Sequence, residues 1–251
     1  MSNTEKFSGK AAIYAQFRPN YPEALIRDLI NEHNLDKSSV IADIGSGTGI
    51  LTRQLVEHDL RVKAVEPNTD MRHVAESSLG TNPLFTSVAG MAEHTTLQDG
   101  SVDLITVAQA FHWFDPETFK EECRRILKKE GQVVLVWNSR IPDASLIQES
   151  EKICEQFCPD FDGFSGGLDH VSSRFKTFFQ DGKYQCKTYD HPLYYHLEEF
   201  IGRHLSASYA PKEPDLNYLL YIEALTRLFQ KYSIDDLITF PNMTRSYSGQ
   251  V

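Results

Sequence analysis

Three groups of residues in this chain have the types and spacing to do chemistry. The first is Asp43-Ile44-Gly45-Ser46-Gly47-Thr48-Gly49. Alternating glycines permit positive φ and let a ligand lie directly on the backbone. A dinucleotide fingerprint is G-x-G-x-x-G, with helix amides aimed at a pyrophosphate. Here the third glycine comes one residue early, and Asp43 sits where it would repel phosphate. A ligand with positive charge near the turn suits this arrangement better. The second group is Glu66, a carboxylate closing the short apolar run Val62 to Val65. At that position an acid can accept hydrogen bonds from both hydroxyls of a ribose. The third is Phe111-His112-Trp113-Phe114, one ionisable ring among three apolar ones. Such a mixture suits a pocket that orients a substrate, with His112 the best-placed general base.

The elements that hold these groups can be read from periodicity. The stretch from Val40 starts as an unbroken apolar run, Val40-Ile41-Ala42, the pattern of a parallel strand covered on both faces. Ile50 to Val56 has the spacing of a buried helix face, so strand, glycine turn and helix follow one another. Tyr21 to His33 reads as a helix with Pro22 in its first turn. Arg61–Glu66 is a second strand, followed by a helix over Thr69–Ser78. Leu84–Ala89 is a third strand and Val102–Ala108 a fourth. Asp115-Pro116 is a strong helix start, and that helix is expected to run to Lys129, closed by Gly131. Gln132–Trp137 is the fifth strand. Strands alternating with helices predict a doubly wound, mostly parallel sheet, which binds ligands at the carboxyl ends of its strands.

From Lys37 to Asn138 the chain resembles the class I methyltransferases motif by motif, and Asp43 to Gly49 resembles their first motif. The resemblance implies a Rossmann-like seven-stranded sheet with a helical cap, and S-adenosylmethionine as cofactor. That donor carries an ammonium and a sulfonium and no phosphate, in agreement with the charge argument. Carried over position by position, the cofactor-binding residues are Asp43, Gly45, Ser46, Gly47, Gly49, Glu66, Pro67, Met71, Met91, Ala92, Glu93 and Gln109. Members of the family often have an acid where Met91 stands, so Glu93 and the backbone around Ala92 would have to read the adenine edge. Tyr14, Arg18, Tyr21, Phe111, His112 and Trp113 are the expected substrate contacts, with His112 catalytic. The run Ala108–Phe114 also resembles the branch containing relatives of trans-aconitate methyltransferase. The expected activity is methyl transfer to an oxygen, nitrogen or carboxylate of a small molecule. An NAD-dependent oxidoreductase and a non-catalytic S-adenosylmethionine-binding module are the alternatives.

Composition narrows the class. In 251 residues there is room for one core with an insertion, and a net charge of -10 gives no electrostatic footprint for nucleic acid. No apolar stretch approaches a membrane span, and the polar start is no signal peptide, so neither membrane nor export is expected and the cytoplasm is the default. Cys123, Cys154, Cys158 and Cys186 form no C-x-x-C pair, and no metal site is expected. One domain is expected over 1–251: an N-terminal arm and helix (1–36), a cofactor-binding core (37–138), then cap helices and closing antiparallel strands (139–251). In that last part Asp143–Phe157, Val171–Phe179, His196–Ala207 and Asn217–Tyr232 read as helices. A glycine-rich turn over Asp162–Gly167 interrupts them, and Lys183–Tyr195 and Ile238–Tyr247 read as strands.

Overall fold

The computed structural model describes residues 11–164 and 172–251. Phe7 of the N-terminal arm, residues 165–167 of the glycine-rich turn, and Val171 lie outside them. The order is α1 (Ala11–Phe17), α2 (Glu23–Glu32), β1 (Val40–Ile44), α3 (Ile50–Glu57), β2 (Arg61–Val65), α4 (Thr69–Leu79), β3 (Phe85–Val88) and β4 (Val102–Ala108). Then follow a 3₁₀ turn (Phe111–Trp113), α5 (Pro116–Ile126), β5 (Leu127–Arg140), α6 (Ser145–Phe157) and α7 (Ser172–Phe178). The chain closes with β6 (Gln185–Asp190), β7 (Leu193–Tyr195), α8 (Leu197–Leu205), α9 (Tyr218–Tyr232), β8 (Ile238–Phe240) and β9 (Asn242–Gly249).

Seven strands form one sheet in the order β3-β2-β1-β4-β5-β9-β6. The first five are mutually parallel, while β9 pairs antiparallel with both β5 and β6. This is the doubly wound Rossmann-like architecture expected from the alternation of elements. The strand order reverses between β1 and β4, and the crevice at their carboxyl ends is the place such sheets bind ligands.

Side chains alternate across β1, so the two faces of the sheet have separate cores. Ile41 packs with Leu25, Leu55, Leu104 and Val136 beneath α2 and α3. Ala42 and Ile44 face the other way, into Val107, Phe111, Phe119, Trp137 and Phe178 beneath α5 and α7. A third cluster joins α6, α8 and α9 to the β7–β8 ribbon through Leu146, Phe200, Tyr221, Leu225 and Phe240. These elements belong to the segment expected to form the cap.

Local chemistry explains most boundaries. Asp115 caps α5 by accepting from the Thr118 amide (2.9 Å), with Pro116 behind it. Asn68 caps α4 through the Met71 amide (3.0 Å).

Three boundaries differ from the sequence reading. The helix after Asp115 stops at Ile126, because the Gly100 and Ser101 amides take the Arg125 and Ile126 carbonyls. Leu127 is already paired with Val102 of β4, and the ladder slips before resuming at Leu104 and Gln132. Lys183–Tyr195 is two strands in different sheets, and so is Ile238–Tyr247. Each divides beside a proline, Pro192 and Pro241, which cannot donate to a ladder. The N-terminal arm also contains a helix, α1, that periodicity had not revealed.

Candidate active site

The glycine turn after β1 is built against the end of β2. Gly45, Gly47 and Gly49 all have positive φ (66°, 58° and 81°). A side chain at Gly45 would meet the Ala110 Cβ at 2.7 Å, so this position needs glycine for space as well as for conformation. The Gly45 and Ser46 amides both donate to the Val65 carbonyl (2.9 and 3.1 Å), and the Gly49 amide to the Ser46 carbonyl (2.9 Å). The Gly47 amide donates to Glu66 Oε2 (2.9 Å). These four amides are engaged inside the protein, which leaves them unable to cradle a pyrophosphate.

Glu66 is held from two sides. Its Oε1 accepts from the Asn68 amide (2.8 Å) and Oε2 from Gly47, while Arg72 donates to its carbonyl (3.0 Å). The carboxylate is only 8% exposed. Burial raises its pKa, opposed by the Asn68 and Gly47 hydrogen bonds and by the Arg72 charge. Each oxygen keeps lone-pair capacity toward the cleft, in a carboxylate fixed before any ligand arrives.

That cleft, of about 610 Å³, is bounded by Gly45, Gly47, Glu66, Pro67, Asn68 and Met71 on one side. Met91, Ala92, Glu93, Ala108, Gln109 and Ala110 form a second wall, and Tyr14, Trp113 and Phe114 the remainder. Gln109 stands in a left-handed conformation (φ 59°), its side chain donating to the Asn138 carbonyl (2.9 Å). Strain of this kind, held by its surroundings, is common where a ligand is gripped. Glu93 is tied to the start of α5 by the Asp115 amide (2.9 Å). The loop beyond it is pinned by Glu122, which accepts from the Thr95 amide (2.7 Å) and from Arg125 Nε (2.8 Å).

Of the cofactor positions expected from the sequence, Gly45, Gly47, Glu66, Pro67, Met71, Met91, Ala92, Glu93 and Gln109 line this cleft. Asp43 does not. It shares the pleat face of Ile41, and its oxygens accept from Thr52 of α3 (2.6 Å) and Thr106 of β4 (2.9 Å). It therefore buttresses the turn from beneath, and burial pushes its carboxyl up to about 6. Ser46 and Gly49 likewise contribute backbone hydrogen bonds to the turn, outside the cleft wall.

The substrate expectations divide more sharply. Tyr14 and Trp113 line the cleft. Phe111 is fully buried among Phe119, Trp137, Phe175 and Phe178, with its ring 4.8 Å from that of Phe178. It is core, and truncating it would cost about 3–5 kcal/mol of stability. Tyr21 is also core, packed with Leu25 and Ile26 and tied through its backbone to Gln54. His112 lies outside the lining, its ring packed on Trp113 with centroids 4.5 Å apart. Arg18 sits behind Tyr14, its guanidinium 4.7 Å from that ring's centre. Asn68, Ala108 and Ala110 line the cleft without having been expected to, and so does Phe114 of the aromatic group expected at a pocket. For Asn68 the signal was present, since an asparagine before a helix and next to Glu66 is a cap at the cleft edge.

Comparisons with known proteins meet this geometry. Residues 42–135 match the methyltransferase domain family. The chain is 37% identical over 147 residues to an uncharacterized methyltransferase of Mycobacterium bovis, covering 59% of this chain and 58% of that one. An uncharacterized methyltransferase-like protein of Schizosaccharomyces pombe is 33% identical over 159 residues, covering 63% and 61%. The matched segment thus spans about three fifths of these curated relatives. Among solved structures, a protein from Anaeromyxobacter dehalogenans superposes with a TM-score of 0.62 at 22% identity, covering 93% of this chain and 98% of that one. A Haemonchus contortus phosphoethanolamine N-methyltransferase, solved with phosphomonomethylethanolamine and S-adenosylhomocysteine, gives 0.57 at 15% identity, covering 100% and 60%. The whole sheet therefore shares its fold with these structures, and the segment that matches the family contains both the glycine turn and Glu66.

Proposed function

We propose that this chain is an S-adenosylmethionine-dependent methyltransferase acting on a small-molecule acceptor. The observation that carries the reading is Glu66, a carboxylate held by two backbone amides at the wall of the cleft, beside a glycine turn whose own amides are engaged. Such a site can accept hydrogen bonds from a ribose diol and offers nothing to a pyrophosphate, which disfavours NAD. The match of residues 42–135 supports the same reading independently.

The fit to the donor is tested by the lining. Gly45 and Gly47 leave the backbone bare for close approach, while Met71 and Met91 are polarizable apolar surfaces suited to an adenine face. When bound, the donor supplies an activated methyl group. The protein's own part is to align and to exclude water. Glu66 fixes the donor's sugar, Tyr14, Trp113 and Phe114 enclose the cleft with rings, and Gln109 anchors the end of β4. No histidine lines the cleft among the described residues, so His112 is a group next to the site and any proton transfer by it requires movement of its ring.

Calorimetry with S-adenosylhomocysteine and with NAD tests the proposal. One-to-one binding of the adenosyl ligand with no response to NAD is the expected result. Tight NAD binding without a response to S-adenosylhomocysteine would overturn it.

A further inference from the structure

Behind Tyr14, on the cap side, three guanidinium groups converge, none of them paired with a carboxylate among the described residues. Arg18 ends α1, Arg140 ends β5 and Arg203 lies in α8. The contact between α1 and α8 is made by Gly202, where any side chain would meet the Phe17 ring at 2.5 Å. That contact carries Arg18 onto α8, where its Nη2 donates to the Ser206 carbonyl (3.1 Å) one turn from Arg203. Arg140 stacks on Phe164 (3.9 Å to the ring centre) and lies 5.9 Å from the centre of the Phe240 ring. The Phe240 ring is 6.1 Å from that of His204 and 5.9 Å from that of Tyr195.

Several polar atoms of this cluster are buried and unanswered. Arg18 Nε, Arg140 Nε, Arg203 Nε and Nη1 and His204 Nε2 have no hydrogen-bond partner among the described residues, and the Tyr195 hydroxyl faces the Arg203 guanidinium. Arg203 is only 3% exposed. Burial, then the charges of Arg18 and Arg140, push its pKa down to about 9, which still leaves it cationic at neutral pH. Arg125 in the other half of the molecule shows the ordinary arrangement, paired with both Glu122 and Asp99. Buried charges are normally paired, because an uncompensated one costs several kcal/mol. Arg18 and Arg140, half-buried beside Arg203, add their repulsion to its burial. An arrangement so unfavourable to the empty protein is explained by what it would bind.

We propose that Arg18, Arg140 and Arg203, with Tyr195, form a subsite for an oxyanion group, carboxylate or phosphate, of a small-molecule ligand. Guanidinium forks match the planar geometry of such groups, and a tyrosine hydroxyl adds a donor. The subsite adjoins the cleft by two routes. The Arg18 guanidinium lies over Tyr14, which walls the cleft, and Arg140 stands two residues beyond Asn138, whose carbonyl receives the Gln109 side chain. Identifying the anion with the methyl acceptor rests on the proposed function above; the anion site itself does not.

The test is calorimetric titration of the full chain with citrate and, separately, inorganic phosphate near neutral pH, with sodium chloride at matched ionic strength as control. One-to-one binding of either anion is expected. Citrate alone identifies a carboxylate site, phosphate alone a phosphate-ester site, and both a general oxyanion site. Arg203→Met and Arg140→Met should each weaken that binding about tenfold or more, as loss of a charge-assisted hydrogen bond does. Arg203→Lys, which retains the charge, should lose less than Arg203→Met and covers the case in which the latter fails to fold. The melting temperature of unliganded Arg203→Met should hold or rise, since a buried unpaired charge has gone. S-adenosylhomocysteine binding is measured on the same samples, so failure of the donor reading is seen separately from failure of the anion site. Absence of binding by both anions at millimolar concentrations, or undiminished binding in both methionine variants, would overturn the subsite.

Discussion

The two halves of this molecule treat buried polar groups in opposite ways. On the donor side, around the carboxyl ends of β1 and β2, the two buried carboxylates and the glycine-turn amides are answered by other protein groups, while the Thr48 hydroxyl of the same turn is not. Asp43 has Thr52 and Thr106, Glu66 has Gly47 and Asn68, and the glycine-turn amides have Val65 and Ser46. On the cap side Arg140, Arg203 and His204 have buried nitrogens without a partner among the described residues. The first half is pre-organised: its geometry exists before ligand arrives, so little binding energy goes into arranging it. The second stores an electrostatic debt that an anion would cancel.

The comparison breaks first at Glu66. If the donor side is pre-organised around this carboxylate, Glu66→Ala removes the acceptor for the ribose and lets Gly47 and Asn68 relax. S-adenosylhomocysteine affinity should fall by about 3 kcal/mol or more, given about 1.5–3 kcal/mol for each charge-assisted bond lost. The fold should survive. Calorimetry on the variant checks this, and an affinity unchanged from the parent would reduce Glu66 to a structural acid.

Asp43 sharpens the same side through stability. Its pKa is about 6 in the folded chain, raised chiefly by burial, against an ordinary value near 3.9 when unfolded. Between those values the folded state holds a proton that the unfolded state has released. Its contribution therefore erodes as pH rises from about 4 to 6 and is constant above that. Asp43→Asn should remove this erosion and stabilise the protein at pH 8 by up to about 3 kcal/mol. Urea unfolding at several pH values measures it, and a variant less stable at high pH would show that the ionised Asp43–threonine bonds outweigh burial.

On the cap side the sign reverses. His204 is buried and held down to about 3, first by burial and then by Arg140, Arg203 and Arg18, despite its hydrogen bond to the Phe200 carbonyl. Below the ordinary histidine pKa the unfolded chain takes up a proton that the folded chain refuses. Stability should fall by about 2 kcal/mol between pH 6.5 and 5, and His204→Asn should flatten that limb. A parent chain with no such limb would mean that the cap takes up a proton or an anion at low cost.

The smallest effect is expected at His112. A general base is worth about a hundredfold or more in turnover. With its ring packed on Trp113 and outside the cleft wall, His112→Ala should lower turnover less than about tenfold and leave the acid limb of the pH–rate profile in position. Loss of that limb together with a drop of a hundredfold would return His112 to the chemistry.

What the sequence determined by itself is local. Short apolar runs, glycines at alternate positions, an acid at a strand end and a proline after Asp115 each act through neighbouring backbone. The parallel sheet, the turn after β1 and the position of Glu66 could accordingly be read from them. The early third glycine and Asp43 pointed away from phosphate, the same reading that the turn's own amides support. The reason differs in part, because it is the engaged amides of the turn that leave no cradle.

Tertiary structure decided which way side chains face where several elements meet. Asp43 lies one pleat position from the cleft and points to α3. Phe111 and Trp113, two residues apart, part company on a 3₁₀ turn into core and cleft wall. The arginine cluster is the extreme case. Arg18, Arg140 and Arg203 are more than sixty residues apart in every pairing, and of the three only Arg18 was among the expected substrate contacts. Only the packing of α1 on Gly202 and of β5 against the cap brings them together and removes their water, because desolvation is a property of the assembled surroundings that no local spacing encodes.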